Sequence, residues 1–319
     1  MTIQAFNTGS SNTDISEINA ESVQEAIARF TTPIVQDGRT IPPFISSPEW
    51  DWTIHCVDST PSTNTALWQL LQDNQIQDNQ IQDNQTQNCI PGCPPVLIAR
   101  TQTKGKGQWS RQWVSPPGGL YLSAVLPFSI PVHAQPILTL ATACGIATVL
   151  KAAGCPVDLK WPNDLVVGGK KLGGILIESR LRGDRLSQGI IGIGMNWINP
   201  TPDTGISLHA LLETQPVANI RTLSDVAALV LLGIQAGIMH WQTHGSEAIA
   251  QAYNQVLVNT QQWIPLPSDD DKQHPKRLRQ IIGVDSRGHL IVRAPIREGD
   301  AVTDMTFAPG TIAIGYGQH

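Results

Sequence analysis

Short apolar runs alternate along this chain with longer helical patterns, which predicts a mixed α/β fold. The runs read as strands are Val96–Ala99, Leu120–Leu126, Asp158–Trp161, Gly174–Glu178 and Gly189–Trp197. Pro136–Ala153 is apolar nearly all round and predicts a buried helix. Asn64–Leu71 predicts a shorter helix, and Leu223–His240 a long one with Ser224 or Asp225 as its N-cap. Near the start, Ser16–Phe30 fits one short helix. No second helix follows behind a tight turn, so a helix-turn-helix is not expected.

The pattern divides the chain into three parts. Residues 1–50 form an N-terminal extension that ends in the linker-like PPFISSPEW. Residues 51–262 hold the strands and long helices. Within them, 72–88 repeat QDNQ every five residues, a period that suits neither helix nor strand and predicts a disordered insertion. Such a surface loop lengthens at little thermodynamic cost. From Trp263 the character changes. Pro265, Pro267 and Asp269–Asp271 mark a linker, followed by short runs Leu278–Val284, Leu290–Arg293, Val302–Phe307 and Thr311–Gly315. A turn at Asp285–Gly288 joins the first two. Residues 263–319 therefore predict a small β-barrel.

Composition narrows the class. Charged residues are 15% and apolar residues 41%, which suits a globular chain. The net charge of −5 argues against a dedicated DNA binder. No apolar run reaches the roughly 18 residues of a membrane span, so no membrane association is expected. The opening residues have no basic stretch followed by an apolar one, so no secretory leader is expected. Five scattered cysteines read as reduced thiols, which points to the cytoplasm. Cys89 and Cys93 lack the further ligands a zinc site wants. His240 and His244 likewise lack a third ligand and read as surface histidines at a helix end. Trp52 and Trp263 read as packing residues, and Cys144 and Cys155 as buried and inert.

Charge distribution points to the chemistry. No acidic residue lies between Asp83 and Asp158, while Arg100, Lys104, Lys106 and Arg111 cluster in RTQTKGKGQWSR. Glycines let a backbone approach a ligand, and N–H groups with Lys and Arg suit phosphate or carboxylate. The segment therefore reads as an anion-binding loop, although it is neither a P-loop nor a dinucleotide fingerprint. Two further segments follow: KWPND (160–164) with KKLGGILIE (170–178), and Gly192-Ile-Gly-Met-Asn196. Each alone also fits an ordinary turn or core strand.

Taken in order, Ser62-Thr-Asn64, the Gly/Lys loop, Trp113, SPPGGLYLS, KWPND, KKLGGILIE and GIGMN resemble the biotin protein ligase family. The resemblance covers residues 55–200 well and the C-terminal GVDSRGHL more loosely. It implies an α+β fold with a central mixed β-sheet and flanking helices, a class II synthetase-like catalytic domain, plus a small C-terminal SH3-like β-barrel. It implies formation of biotinyl-5'-AMP from biotin and ATP with Mg²⁺, then transfer to a lysine of a biotin carboxyl carrier domain. A homodimer is compatible with it.

The resemblance also assigns residues. Lys171, Lys106 and Arg111 become catalytic, with Lys171 touching the biotin carboxylate and the α-phosphate. Ser62, Thr63, Asn64, Gln102, Lys106, Gly107, Gln108, Lys171, Gly174, Gly192 and Gly194 become biotin-binding, the last three leaving space for the rings and the valeryl chain. Arg111, Trp113, Asn163, Asp164, Lys171 and Asn196 become ATP-binding, with Asp164 on the metal.

The loop departs from the family's Gly-Arg-Gly-Arg-x-Gly-Arg pattern: Gln108 stands at the second Arg and Ser110 at the third Gly. An amide does not replace a guanidinium on phosphate, so altered retention of the adenylate is expected, with Lys104 or Lys106 as compensating cations. The ending Phe307-Ala-Pro-Gly-Thr-Ile also departs from the family. Two alternatives stay open: a lipoate or octanoate ligase-like enzyme, and a non-catalytic biotin or adenylate sensor.

Overall fold

The structure, a computed structural model, describes residues 17–32, 34–36, 39–41, 50–78, 93–214, 220–266, 277–294, 304–312 and 314–315. Helix α1 (Ala20–Thr31) starts later than the pattern predicts, because Asn19 caps it. The Asn19 side chain accepts from the Ser22 N–H at 2.8 Å, and the Ser22 hydroxyl returns a bond to the Asn19 backbone. The short pair β1 (Ile34–Gln36) and β2 (Arg39–Ile41) follows, unforeseen in the sequence. All but Trp50 of the PPFISSPEW linker lies outside the described residues.

The central layer is a mixed sheet of eight strands. In chain order they are β3 (Thr53–Thr60), β4 (Pro95–Gln102), β5 (Gly119–Leu126), β6 (Ile130–Pro131), β7 (Asp158–Lys160), β8 (Asp164–Val167), β9 (Lys170–Arg182) and β10 (Arg185–Asn196). In space they run β3-β4-β5-β10-β9-β8-β7, with β6 beside β10. Only β3 and β4 are parallel; they are joined through α2 (Thr63–Asp78). Each strand predicted within residues 51–262 is present, and the one around Gly174 is much longer than its apolar run. Helix α2 carries the first repeat residues, 72–78, as helix rather than as disordered insertion; residues 79–88 lie outside the described set.

Both faces of this sheet are covered. Leu67 and Leu71 of α2 pack on Leu97, Val125 and Ile190 on one face. On the other lie α3 (Gln135–Ala152) and α5 (Leu223–Val256), with α4 (Leu208–Thr214) between them in sequence. Strand β5 is therefore buried at every position, which explains its continuous apolar run. Helices α3 and α5 are long and apolar enough to cross a membrane, but both lie mostly buried in this core. They meet backbone to backbone. A Cβ at Gly145 would stand 2.0 Å from the Gly233 carbonyl oxygen, and one at Gly237 2.0 Å from that of Ala141.

The N-cap of α5 is Thr222, not Ser224 or Asp225. Its side chain accepts from the Asp225 N–H at 3.2 Å, while the Asp225 carboxylate accepts from the N–H groups of Thr222 and Arg221. Asp225 sits three residues into this capping box and also pairs with Arg29 of α1. Gly245, at φ +82°, interrupts α5 just after the stacked His240 and His244 rings.

Strands β11 (Trp263–Leu266), β12 (Arg277–Val284), β13 (Leu290–Arg293) and β14 (Asp304–Phe307) form a second, antiparallel sheet in that order. Pro265 was expected in a linker, yet it lies in the edge strand β11 beside Trp263, where a missing N–H is tolerated. Trp263 is half exposed rather than packed. Among the described residues of Thr311–Gly315 no strand is present; Pro309 and Ile312 make a single bridge. Among the described residues β14 does not pair with β11, so the expected barrel is seen as a small sheet. Asn254 of α5 clamps it, bonding both ways to the Val284 backbone.

Candidate active site

A cavity of about 300 Å³ opens at the ends of β4, β8, β9 and β10. That volume suits a small molecule. Its lining gathers Ser62, Thr63, Asn64, Gln102, Lys106, Gly107, Gln108, Arg111, Trp113, Asn163, Asp164, Lys171, Gly174, Gly192 and Gly194 from four separated stretches. Of the site residues that the resemblance assigns, only Asn196 is not among the lining.

One end is polar and uncharged. Ser62, Thr63 and Asn64 are buried at the start of α2. The Gln102 carbonyl accepts from the Thr63 N–H at 2.9 Å, and its amide donates to Ser115 Oγ at 2.8 Å. Ser123 Oγ on β5 lies 2.6 Å from Asn64 Oδ1 and 2.7 Å from Thr63 Oγ1. These bonds fix the Asn64 carbonyl and leave its buried Nδ2 without a protein partner. A buried donor without an acceptor is costly, and a ligand oxygen there would relieve it. Trp113 Nε1 is a second such donor.

The glycines serve a different purpose from the one expected. A Cβ on Gly192 would lie 2.4 Å from Asn64 Oδ1, and one on Gly194 2.6 Å from the Trp113 ring. Gly192 and Gly194 therefore seat Asn64 and Trp113; the space over them is filled by protein and not left for a ligand. A Cβ on Gly174 would lie 3.5 Å from both the Lys171 ammonium and the Asp164 carboxylate.

The other end is charged. Lys171 Nζ lies 2.6 Å from Asp164 Oδ1 and 5.2 Å from the Trp113 ring centroid. A β-bulge aims it there. Leu165 pairs with Gly173 but Val166 pairs with Lys171, so Leu172 is the extra residue. Leu172 turns into the core, and Lys171 turns to the cavity. The backbone around Lys171 is held from behind. Its N–H donates to Thr204 O, its carbonyl accepts from Ile206 N, and Asn196 Nδ2 reaches the carbonyls of Lys171 and Ile206. Asn196 is thus committed to protein backbone instead of facing the cavity. Asn163 lines the cavity, and its amide also donates to Ile175 O at 2.7 Å.

The Gly/Lys loop is a tight hairpin across the opening. Gly107 N donates to Arg111 O at 2.8 Å, Trp113 N to Gly105 O at 3.0 Å, and Lys106 bridges Gln112. Trp109 and Ser110 both take the left-handed region, at φ 62° and 57°. Lys106 does not point at Lys171; it pairs with Glu178 of β9 at 3.0 Å. The other Glu178 oxygen accepts from Trp68 Nε1 at 3.0 Å, and Arg180 covers the Trp68 ring. Arg111 and Gln108 remain on the cavity side.

Sequence reasoning missed several contributors. Glu178 ends the KKLGGILIE motif but carried no assigned role. Trp109, Trp161, Pro162, Ile175, Leu176 and Ile193 flank assigned residues. Ile312 and Ile314 come from the far C-terminal segment, and no local signal marks them. His55 stands outside the cavity, half buried, with its pKa lowered by burial. The buried thiols of Cys144 and Cys155 are pushed up to about 12 and about 11 by burial, which makes them poor nucleophiles. Cys89 lies outside the described residues.

Among the described residues no three His, Cys, Asp or Glu side chains come together as a metal cluster. Asp164 is a single carboxylate already paired with Lys171. It fits a magnesium ion brought in mainly by nucleotide phosphates and not one held by a protein cage.

The profile of the biotin/lipoate A/B protein ligase family matches residues 57–196, and those residues form a domain of that family. The bifunctional ligase/repressor BirA of Bacillus spizizenii is 34% identical over 154 residues, 47% of this chain and 47% of that protein. The biotin–[acetyl-CoA-carboxylase] ligase of Paracoccus denitrificans is 34% identical over 112 residues, 34% of this chain and 46% of that one. Biotin protein ligase from Aquifex aeolicus, solved in complex with biotin and ATP, shares the fold. Its TM-score is 0.56 at 22% identity, covering 79% of this chain and 94% of that chain. The chain spans about half the length of these two curated relatives.

Proposed function

We propose, from the ligase-family domain formed by residues 57–196, that this chain is an ATP-dependent biotin–protein ligase. The observation that carries the reading is the cavity's polarity. An uncharged end with the unpaired Asn64 Nδ2 faces a cationic end at Lys171, inside one enclosure. Biotin has the same layout, with a neutral ureido ring at one end and a carboxylate at the other. Asn64 Nδ2 would donate to the ureido oxygen, and Lys171 would hold the carboxylate.

In the first step a carboxylate oxygen of biotin attacks the α-phosphorus of ATP, and the bond to the β-phosphate oxygen breaks, releasing pyrophosphate. Two anions must approach, so a cation between them lowers the barrier. Lys171 is that cation; Arg111 lines the same cavity. Magnesium, carried by the phosphates against Asp164, would neutralise further charge. The hairpin of residues 105–111 shields the mixed anhydride from water. In the second step the ε-amine of a carrier-domain lysine attacks the acyl carbon and AMP leaves.

The acceptor proposed is a biotin carboxyl carrier domain in the cytoplasm. Operator DNA is not proposed as a partner: α1 buries Val23, Ala26, Ile27 and Phe30 in the core, and Arg29 pairs with Asp225 of α5. A homodimer remains part of the proposal, tested by sedimentation. The central experiment mixes the protein with ATP, Mg²⁺, biotin and a carrier domain and weighs the acceptor. An ATP-dependent gain of one biotin is expected. Biotin binding without transfer would favour a sensor, and absence of biotin binding a lipoate-type enzyme. A gel shift with operator-like DNA checks the last point.

A further inference from the structure

The family domain does not enclose the cavity alone, since Ile312 and Ile314 complete the wall from beyond the second sheet. Both pack against the main core. The Pro309–Ile312 bridge and the bond from Thr311 N to Ala308 O lie within the segment itself. A hydrogen bond from Lys160 also ties the segment to the rest of the fold. Lys160 Nζ donates to the Gly315 carbonyl at 2.8 Å, across 155 positions of sequence. Next to it, Trp161 Nε1 donates to Gly288 O at 3.1 Å, in the turn between β12 and β13. Two neighbouring residues of KWPND therefore hold two separate points of the C-terminal sheet region.

Lys160 is 3% exposed and stands opposite Asp164 where β7 pairs with β8. A buried ammonium is expensive unless bonded. Burial pushes its pKa down to about 8, with Asp164 raising it and Lys171 lowering it, so it stays largely protonated at pH 7. A hydrophobic residue would fill this place more cheaply if packing were the only requirement.

We propose that Lys160 is a positioning residue that fastens the C-terminal segment over the cavity, so that Ile312 and Ile314 form the wall against which the nucleotide base packs. The role of that wall rests on the ligase reading; the fastening does not. Lys160 acts through the segment and not on the reacting atoms. Nucleotide binding is thus tied to the docking of the second sheet.

The test uses the full chain with Lys160→Met, which keeps the volume and removes the donor. Amide hydrogen exchange of residues 310–312 is measured first, without substrates. Faster exchange in the variant is expected, and unchanged exchange would overturn the fastening. Steady-state adenylation follows. The KM for ATP should rise about tenfold, with kcat and the KM for biotin within about twofold. The loss of positive charge is separated from the loss of the latch by a cycle with Ile312→Ala/Ile314→Ala. If the latch works through the wall, Lys160→Met adds little in that background. Fully additive effects would mean that Lys160 acts on the nucleotide by charge alone, and the positioning role would fail. A wild-type protein that makes no adenylate would sink the ligase reading and the wall with it, while the exchange result would still judge the fastening.

Discussion

Lys171 Nζ meets Asp164 Oδ1 at 2.6 Å because the extra residue Leu172 in β9 turns the lysine out of the core and into the cavity. The pair sets both the position and the charge of the cationic end. Lys171→Ala is expected to slow adenylate formation by about 100- to 1,000-fold. Lys171 is partly exposed, so the melting temperature should stay near that of wild type. Pyrophosphate exchange and a thermal melt check both halves, and near-normal exchange would remove Lys171 from its role.

Gly192 and Gly194 should report on opposite ends of the cavity. Gly192→Ala places a methyl 2.4 Å from Asn64 Oδ1, and Gly194→Ala places one 2.6 Å from the Trp113 ring. Displacement by overpacking costs about 1–3 kcal/mol. We expect the first to weaken biotin binding and the second nucleotide binding, each by roughly 5- to 150-fold at about 1.4 kcal/mol per factor of ten. Calorimetry with each ligand distinguishes them; equal loss of both ligands in both variants would contradict the assignment.

Gly237→Ala pits two effects against each other. In an exposed helix the change gains up to about 1 kcal/mol. Here the new Cβ would sit 2.0 Å from the Ala141 carbonyl oxygen, a backbone atom that cannot rotate aside. Forcing α3 and α5 apart disturbs the whole layer, so net destabilisation is expected, at about 1–3 kcal/mol or more. Denaturant titration gives the sign directly.

The buried Lys160 should leave a mark on the pH dependence of stability. Its pKa is about 8 in the folded chain against an ordinary 10.5. Between those values the unfolded chain binds more protons, so this group's contribution rises with pH across that window. Below pH 8 its penalty is complete. The stability of wild type relative to Lys160→Met should therefore improve from pH 8 to 10.5. A constant difference would mean that the burial penalty is absent.

Gln108→Arg restores a guanidinium on the cavity side of the hairpin. Arg holds phosphate through charge and a planar fork, which Gln lacks. The variant should release adenylate about tenfold more slowly, for a gain of about 1.4 kcal/mol in one charge-assisted contact. Stopped-flow release of a labelled adenylate measures it, and unchanged release would mean that the Lys106–Glu178 pair already closes the loop.

The sequence was legible wherever residues act through their neighbours in the chain. The apolar run of β5 and the all-round apolarity of α3 gave their elements, because burial on every side selects such composition. The Gly/Lys loop and KWPND gave the cavity, because backbone approach and charge are local properties. Misplaced elements have local reasons too. Thr222 outcompeted Ser224 and Asp225 as the cap, since only it leaves Asp225 free to bond back. The repeat residues 72–78 continue α2 because a helix already begun extends at little cost.

Everything carried by register or by distant contact was hidden. A one-residue bulge decides which way Lys171 points, and apolar patterning cannot reveal it because Leu172 and Lys171 are adjacent. Gly192 and Gly194 read as room for a ligand, while Asn64 of α2 and Trp113 of the loop fill that room. Asn196 looked like a ligand and proved to be a backbone brace. The sequence by itself thus determined the elements, the chemistry of the cavity's lining and the family domain. Tertiary structure alone decided how Lys171 is aimed, what Glu178 holds, and that Lys160 bonds a carbonyl from the other end of the chain. The reason is physical: composition and spacing encode burial and local bonding, whereas a partner 155 positions away is chosen by packing of the whole fold.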